Sequence, residues 1–471
     1  MGKTKTLVKN TAIIGLGTLS TKALTFLLLP LYTNVLNPDN YGLIDVLMTI
    51  SSLIVPFAAL EMNSGVFRFL IGFEGKKNYS HEKIVSTGVA IEIIGLIIVL
   101  LISLIANLFF TIPHFIAVAV YIVSLAVSKF TLDSTRGIGD IVAYSVANLI
   151  ITLFSLCLNV IFILAFKWGA VSILIATAIG NFSGSIFLLF KKKLYRYIRK
   201  RAIDKDAGKE MLRYTLPLIS NTVSWWIVSA SDRIIILGFI GATANGIYAA
   251  AHKIPGIYTT LFAVFCLAWT ESVARNESDN AFVEKTVKIS VNVMVYMLFG
   301  IIACSSLFFN ALIGNEYSSC YWHILILLIA TFFSSLSSLY GGIFSGKMDS
   351  KVIAYTTIIG AVINIIVNLG LINYIGLYAA SISTTVSYII ISFIRGNQVK
   401  KWYKIKLFSM KDFVFIPLGT LCIAGYYFHN NIINVIVVVS IIICFILFNR
   451  DIVNVVFGKI KNRNDRGTSL V

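Results

Sequence analysis

A few charged side chains fall inside long apolar runs, and they are where this sequence could do chemistry. Lys22 lies midway along the first run. Asp45, Glu61 and Arg68 lie in the second, Asp232 and Arg233 in the seventh, His252 and Lys253 in the eighth. A charge at membrane depth is costly and usually faces a cavity or a partner. Lysines and arginines gathered around one water-filled cavity attract an anion. Phosphate is the natural one, because both side chains bind it strongly where water is scarce. Lys22, Arg233 and Lys253 are therefore the candidate binding residues, and Glu61, Asp232 and His252 the candidates for coupling or gating. Each has a plainer alternative. Asp232 and Arg233 could lock neighbouring helices. Arg68 is near enough an interface to snorkel. Lys129, Asp133 and Arg136, at i, i+4 and i, i+3 spacing, read as an ion-paired helix end. Lys22 resists such a reading, being deep and without an acid in helical reach on its own helix.

The elements that must position these residues are membrane helices. Hydrophobic residues make up 58% of the 471-residue chain and charged residues 13%, and mean hydropathy is +0.87. Soluble domains carry about 25% charge, so a water-soluble fold is excluded. A spanning helix needs roughly 20 apolar residues. That rule predicts an all-α polytopic protein of about fourteen helices, near 10–34, 42–68, 84–110, 113–133, 141–166, 169–190, 212–238, 246–270, 287–312, 322–345, 351–373, 376–395, 412–428 and 432–449.

The loops between them alternate in charge. Lys3, Lys5 and Lys9 precede the first helix, and Lys76, Lys77 and Lys83 follow the second. The segment 191–210 is the most basic, with Lys191, Lys192, Lys193, Arg196, Arg199, Lys200 and Arg201 among its residues. Lys400, Lys401, Lys404 and Lys406 continue the series. The intervening loops are nearly free of lysine and arginine, Lys167 excepted. Basic residues in short loops stay cytoplasmic, so both termini are expected inside, with Asn40 and Asn245 in outer turns open to label. The same rule accounts for most of the formal charge of +18. No nucleic-acid partner is expected, whereas membrane lipids with anionic headgroups suit the basic loops. The six cysteines form no CxxC pair and five lie in apolar runs, so neither a disulfide nor a metal site is expected.

A weak internal repeat flanks the basic segment. Leu7 to Thr11 opens a helix, with Tyr41-Gly42 about thirty residues later; Met211 to Thr215 opens another, followed by Asn245-Gly246-Ile247-Tyr248. Both halves start inside, so the repeat is parallel, about an axis along the membrane normal. Duplicated bundles of this kind are common in secondary transporters. The expected division is 1–205 for a first six-helix lobe, 206–400 for a second, and 401–471 for two appended helices and a tail.

The opening Leu7-Val8-Lys9-Asn10-Thr11, then Leu29-Pro30-Leu31-Tyr32-Thr33 and Tyr41-Gly42, resembles the polysaccharide-transporter flippases of the multidrug/oligosaccharidyl-lipid/polysaccharide exporter superfamily. So does Asp232-Arg233-Ile234-Ile235-Ile236 with the stretch from Asn245 to Pro255. The resemblance covers about residues 7–450. It implies two six-helix lobes around a cation-lined cavity. The substrate would be an undecaprenyl-diphosphate-linked oligosaccharide repeat unit, moved to the outer leaflet by alternating access. Coupling to a proton or sodium gradient is implied, with no cofactor. A polysaccharide polymerase and glycosyltransferases are candidate partners in a bacterial cytoplasmic membrane.

Fourteen helices also resemble the lipid II flippases, and a multidrug or cation antiporter is the other relative. Such antiporters commonly carry a membrane-embedded acid early in the first lobe, where this chain has Lys22. The rival of another class is an integral membrane glycan polymerase or glycosyltransferase. Such an enzyme needs carboxylates or histidine poised for acid–base work. The acids of the largest inner loop (Asp204, Asp206, Glu210) are instead interleaved with Lys205 and Lys209, as on a solvated face.

Overall fold

A computed structural model describes residues 21, 26–71, 79–275, 279–347, 349–404 and 413–449. Those residues form fifteen α-helices and no strand. The end of the first span is α1 (Leu29–Val35), and the second span is broken into α2 (Pro38–Ala58) and α3 (Met62–Leu70). There follow α4 (His81–Phe110), α5 (Phe115–Gly137), α6 (Ile141–Leu164) and α7 (Val171–Lys191). After two short 3₁₀ turns come α8 (Lys205–Phe239), α9 (Ala242–Arg275), α10 (Asn280–Leu312), α11 (Cys320–Gly346), α12 (Ser350–Ile375) and α13 (Tyr378–Val399). The last pair is α14 (Phe415–Tyr427) and α15 (Asn431–Phe448). Nine of the described helices are long and apolar enough to cross a membrane. The chain is a multi-pass membrane protein. Its two ends are called inner, where the basic 191–210 segment lies, and outer.

Polar residues start many of these helices by capping otherwise unpaired amides. The side chains of Asn37, Ser80, Asp140, Asp204 and Asp279 each accept from an amide of the first turn. The lipid-facing surface is as apolar as the core. Along α4, Ile94, Ile98, Leu101, Ile102 and Ile105 are all at least half exposed, which in this composition means exposure to hydrocarbon.

The second span departs from the single helix 42–68 expected. Leu60 and Glu61 both take left-handed backbone conformations, with φ of 49° and 51°. Such conformations cost L-residues roughly 1–2 kcal/mol each and persist where surroundings over-determine them. Pro56 lies just before the break, and its carbonyl accepts from the Glu61 amide at 3.2 Å. Glu61 and Arg68 therefore do not share one continuous helical face.

Helices α3–α7 pack mainly on one another, as do α9 and α11–α13, while α2 packs chiefly on α9 and α8 lies between the two groups. The neighbour order recurs. In the first bundle α5 packs on α3 and α7, and α6 on α7; in the second α11 packs on α9 and α13, and α12 on α13. Helices α14 and α15 dock on α10. They are held by polar bonds in an apolar setting: Asn434 Nδ2 donates to Ser306 Oγ at 2.9 Å and Tyr321 Oη to the Tyr426 carbonyl at 2.7 Å.

Candidate functional site

Helix α8 meets the first bundle along one stripe. Near the outer end Arg233 Nε donates to Asp45 Oδ2 of α2 at 2.7 Å. Trp226 Nε1 donates to the Thr49 carbonyl and to Ser52 Oγ, both at 3.1 Å. Thr222 Oγ1 donates to Glu61 Oε1 at 2.8 Å. Thr215 sets its methyl against Gly65. At the inner end the Asp204 amide donates to Thr87 Oγ1 at 3.0 Å, and Lys83 Nζ reaches the Asp204 carboxylate at 2.7 Å. The intervals of seven, four, seven and eleven residues from 233 to 204 are near-whole numbers of 3.6-residue turns. One face of α8 thus carries the whole series.

Helix α9 meets the first bundle differently. A Cβ on Gly42 would fall 1.9 Å from the Ala242 carbonyl oxygen, and one on Gly246 would fall 2.0 Å from that of Pro38. Two backbones touch there, and only glycine allows it. Asn245 Nδ2 donates to the Gly42 carbonyl at 2.8 Å and Thr243 Oγ1 to Asp39 at 3.2 Å. Asn245, expected open to water in an outer turn, is fully buried in this contact. Beside it, a Cβ on Gly314 would lie 1.9 Å from the Thr33 carbonyl, and Tyr317 Oη donates to the Leu36 carbonyl at 2.9 Å. Deeper along α9, the bonds of Tyr258, Cys266 and Trp269 go to the second bundle, at Met294, Ser338 and Leu339.

The structure brings Arg233 and Lys253 together around Asp45. Lys253 is partly buried and within electrostatic reach of both, yet makes no ion pair or hydrogen bond among the described residues. Glu61 sits elsewhere, on the inner side of the α2–α3 break, where Thr222 and Ser64 bond its two oxygens. His252 turns toward Tyr248, ring centroids 4.5 Å apart, with its Nε2 buried and unpartnered among the described residues. Lys22 lies outside the described residues.

Asp232 points away from the seam into the second bundle. It is 3% exposed and accepts from Tyr248 Oη at 2.8 Å, Asn368 Nδ2 at 2.9 Å and Thr384 Oγ1 at 2.5 Å. Asn364 and Ser231 extend the network, and Asn368 Oδ1 is a buried oxygen without a partner among the described residues. A carboxylate ringed by neutral donors is a place where a small cation or a proton could exchange.

Three polar features escaped the reading of the sequence. Glu92, on α4, is 4% exposed, and its Oε1 has no partner among the described residues. It lines a small apolar cavity of about 180 Å³. It stands alone in an apolar run, so the signal was present. Arg395, read as a helix end, is buried and donates to Thr356, Thr357 and the carbonyls of Ser337 and Ile353. The asparagines around Asp232 carry no charge and gave no signal. The expected ion-paired end of α5 is also different: Asp133 accepts from Asn63 at 2.9 Å, and Arg136 lies over the Phe67 ring.

The family model of the polysaccharide biosynthesis proteins matches residues 7–269, more than half of the chain. The chain belongs to this family. Among curated relatives, an uncharacterised membrane protein of Methanocaldococcus jannaschii is 22% identical over 401 residues, 81% of this chain and 95% of its own. A probable low-salt glycan biosynthesis flippase of Haloferax volcanii is 20% identical over 229 residues, covering 47% of this chain and 48% of its own. Among solved structures, the lipid II flippase MurJ in an inward closed conformation aligns over 93% of this chain and 99% of its own, with a TM-score of 0.71 at 15% identity. An inward-facing multidrug transporter of the MOP superfamily aligns over 82% and 98%, with a TM-score of 0.67 at 15% identity. The fold of this family member is thus the MOP-superfamily fold.

Proposed function

We propose that this protein is a flippase for polyprenyl-diphosphate-linked oligosaccharide repeat units, of the undecaprenyl type, moving them from the cytoplasmic to the outer leaflet. A glycan diphosphate cannot cross hydrocarbon unaided. The observation that carries the reading is the trio at the seam. Lys253, without an ion pair or hydrogen bond among the described residues, lies beside the Asp45–Arg233 pair, below the Gly42–Gly246 contact. A diphosphate entering the seam gives Lys253 a partner and competes with Asp45 for Arg233. Loss of the Asp45–Arg233 bond would then loosen the outer contact. Differential binding to the two states moves the headgroup, while the lipid tail stays in the bilayer. Family membership and the flippase relative support the glycan-lipid class. The Asp232 network is the proposed coupling site for a proton or sodium ion. The termini are cytoplasmic in this reading, and a polymerase and glycosyltransferases are the partners.

The test is flipping by purified protein in liposomes, offered a polyprenyl-diphosphate oligosaccharide, lipid II or a cationic drug. The first substrate is expected to move, and Lys253→Ala to slow it strongly. Transport of only the drug, or parent-like rates in Lys253→Ala, would overturn the reading.

A further inference from the structure

The inner edge of the molecule carries many cations, and several are committed. Lys83 holds Asp204, Lys192 holds Asp140, and Arg199 lies 3.6 Å from Glu82. Three are not. Lys205, Lys209 and Arg213 are exposed on α8 and make no ion pair or hydrogen bond among the described residues. They recur at i, i+4 and i+8, so they stand in one row about 12 Å long.

That row borders a groove of about 750 Å³ between α4 and α8. Ile91 and Ile94 of α4 form one apolar wall, Leu212 and Leu216 of α8 the other. Leu216 is 50% and Ile94 59% exposed. The roof is the segment joining the bundles. It is clamped to α4, where Ser86 Oγ bonds the Tyr197 carbonyl and the Arg199 amide. The one acid of the lining, Asp204, is already taken by Lys83 and by the amides it caps. The lining is therefore cationic at the headgroup level and apolar below.

We propose that this groove binds one anionic phospholipid of the inner leaflet, its phosphate on Lys205, Lys209 and Arg213 and an acyl chain between α4 and α8. The headgroup layer is only several ångströms deep, so a row of this length spans it, and long basic side chains reach its phosphates readily. The groove has one wall from each bundle. An occupied site braces the inner seam, and its emptying lets α8 slide on α4. The occupant is set apart from the transported lipid because the groove lies at the inner end of the α8 stripe, whereas Lys253 lies beside the Asp45–Arg233 pair near the outer end.

The test compares phosphatidylglycerol with phosphatidylcholine on the purified full-length protein, by native mass spectrometry and by the lipid-dependent shift in unfolding temperature. The triple variant Lys205→Gln, Lys209→Gln, Arg213→Gln is matched by a control removing three other cations, Lys285→Gln, Lys400→Gln and Lys401→Gln. Phosphatidylglycerol retention is expected to fall by about tenfold or more in the groove variant, each cation near a lipid phosphate contributing a factor of roughly five. The control should keep parent retention. Equal loss in both variants would mean diffuse surface attraction and overturn the site. So would equal retention of phosphatidylcholine by the parent. Displacement of phosphatidylglycerol by a short-chain polyprenyl diphosphate would assign the groove to the transported lipid and also overturn the proposal.

Discussion

The outer and inner halves of the seam are built from different materials. At the outer end two backbones meet at Gly42 and Gly246, and a buried asparagine bonds across them. At the inner end side chains make the contacts: a threonine methyl on Gly65, a threonine hydroxyl on Glu61, a lysine on Asp204. A backbone contact is all or none, because neither chain can yield. A side-chain contact can slide by a rotamer. The difference also divides α8 from α9. Helix α8 holds the first bundle along its whole length, whereas α9 bonds it through Thr243 and Asn245 at its outer end. Such a seam favours a hinge along α8 and a latch at the start of α9.

The largest predicted effect tests the latch. Gly42→Ala forces a methyl against backbone, and overpacking of this kind costs about 1–3 kcal/mol. Flipping should fall roughly tenfold or more, and a cysteine at Asn245, shielded in the parent, should begin to label from outside. Gly65→Ala meets only the Thr215 methyl, which can turn aside, and should change flipping by less than about threefold. Equal effects from the two alanines would erase the distinction.

The next effect is at the pair below the latch. Asp45→Asn and Arg233→Gln should each impair transport, and the double variant should be less impaired than their sum. A coupling of about 1–3 kcal/mol is expected for side chains in direct contact, read from transport rates in a double-mutant cycle. Strict additivity would mean the pair is decorative. Lys253→Ala should slow flipping while Lys253→Arg retains most of it, since charge attracts phosphate in either form. Asp232→Asn removes the charge, keeps an acceptor for Tyr248 and Thr384 and turns a donor toward Asn368, whose amide can flip to accept it, and should remove the dependence of transport on the driving gradient. Unchanged gradient dependence would remove Asp232 from coupling.

Much of the fold was legible because hydrocarbon imposes a simple code. Runs such as 141–166 and 432–449 match α6 and α15 within about two residues. The break at Leu60–Glu61 was not legible, since left-handed conformations at non-glycine residues follow from tertiary bonds rather than from local propensity. The repeat pointed at Tyr41-Gly42 and Asn245-Gly246 as corresponding positions, and the structure sets these glycines face to face. That contact is a property of two helices together, and no single helix encodes it. Among the candidate residues, charge flagged Arg233, Lys253 and Asp232. It could not tell that Arg233 faces Asp45 across the seam while its neighbour Asp232 faces inward, because successive helical residues point about 100° apart.

The smallest effect concerns the joining segment. The Lys83 ammonium, and then the Ala207 amide, hold the Asp204 carboxyl below its usual range. A depressed carboxyl contributes stability that is present above the unfolded value and lost as pH falls through the folded one. Amide-exchange protection of residues 194–204 should therefore be flat between about pH 8 and pH 5. Asp204→Asn should lower it by a few-fold. Loss of protection already near neutral pH would point to another group.

The latch itself offers the most direct measurement. Thr243 Oγ1 lies 3.2 Å from Asp39, so a cysteine at each position, with the native cysteines replaced, can be joined across the outer seam. The oxidised protein is expected to stop flipping lipid-linked oligosaccharide in liposomes, and reduction to restore the rate. Parent-like flipping by fully cross-linked protein would contradict the latch, because the outer end would then never need to part.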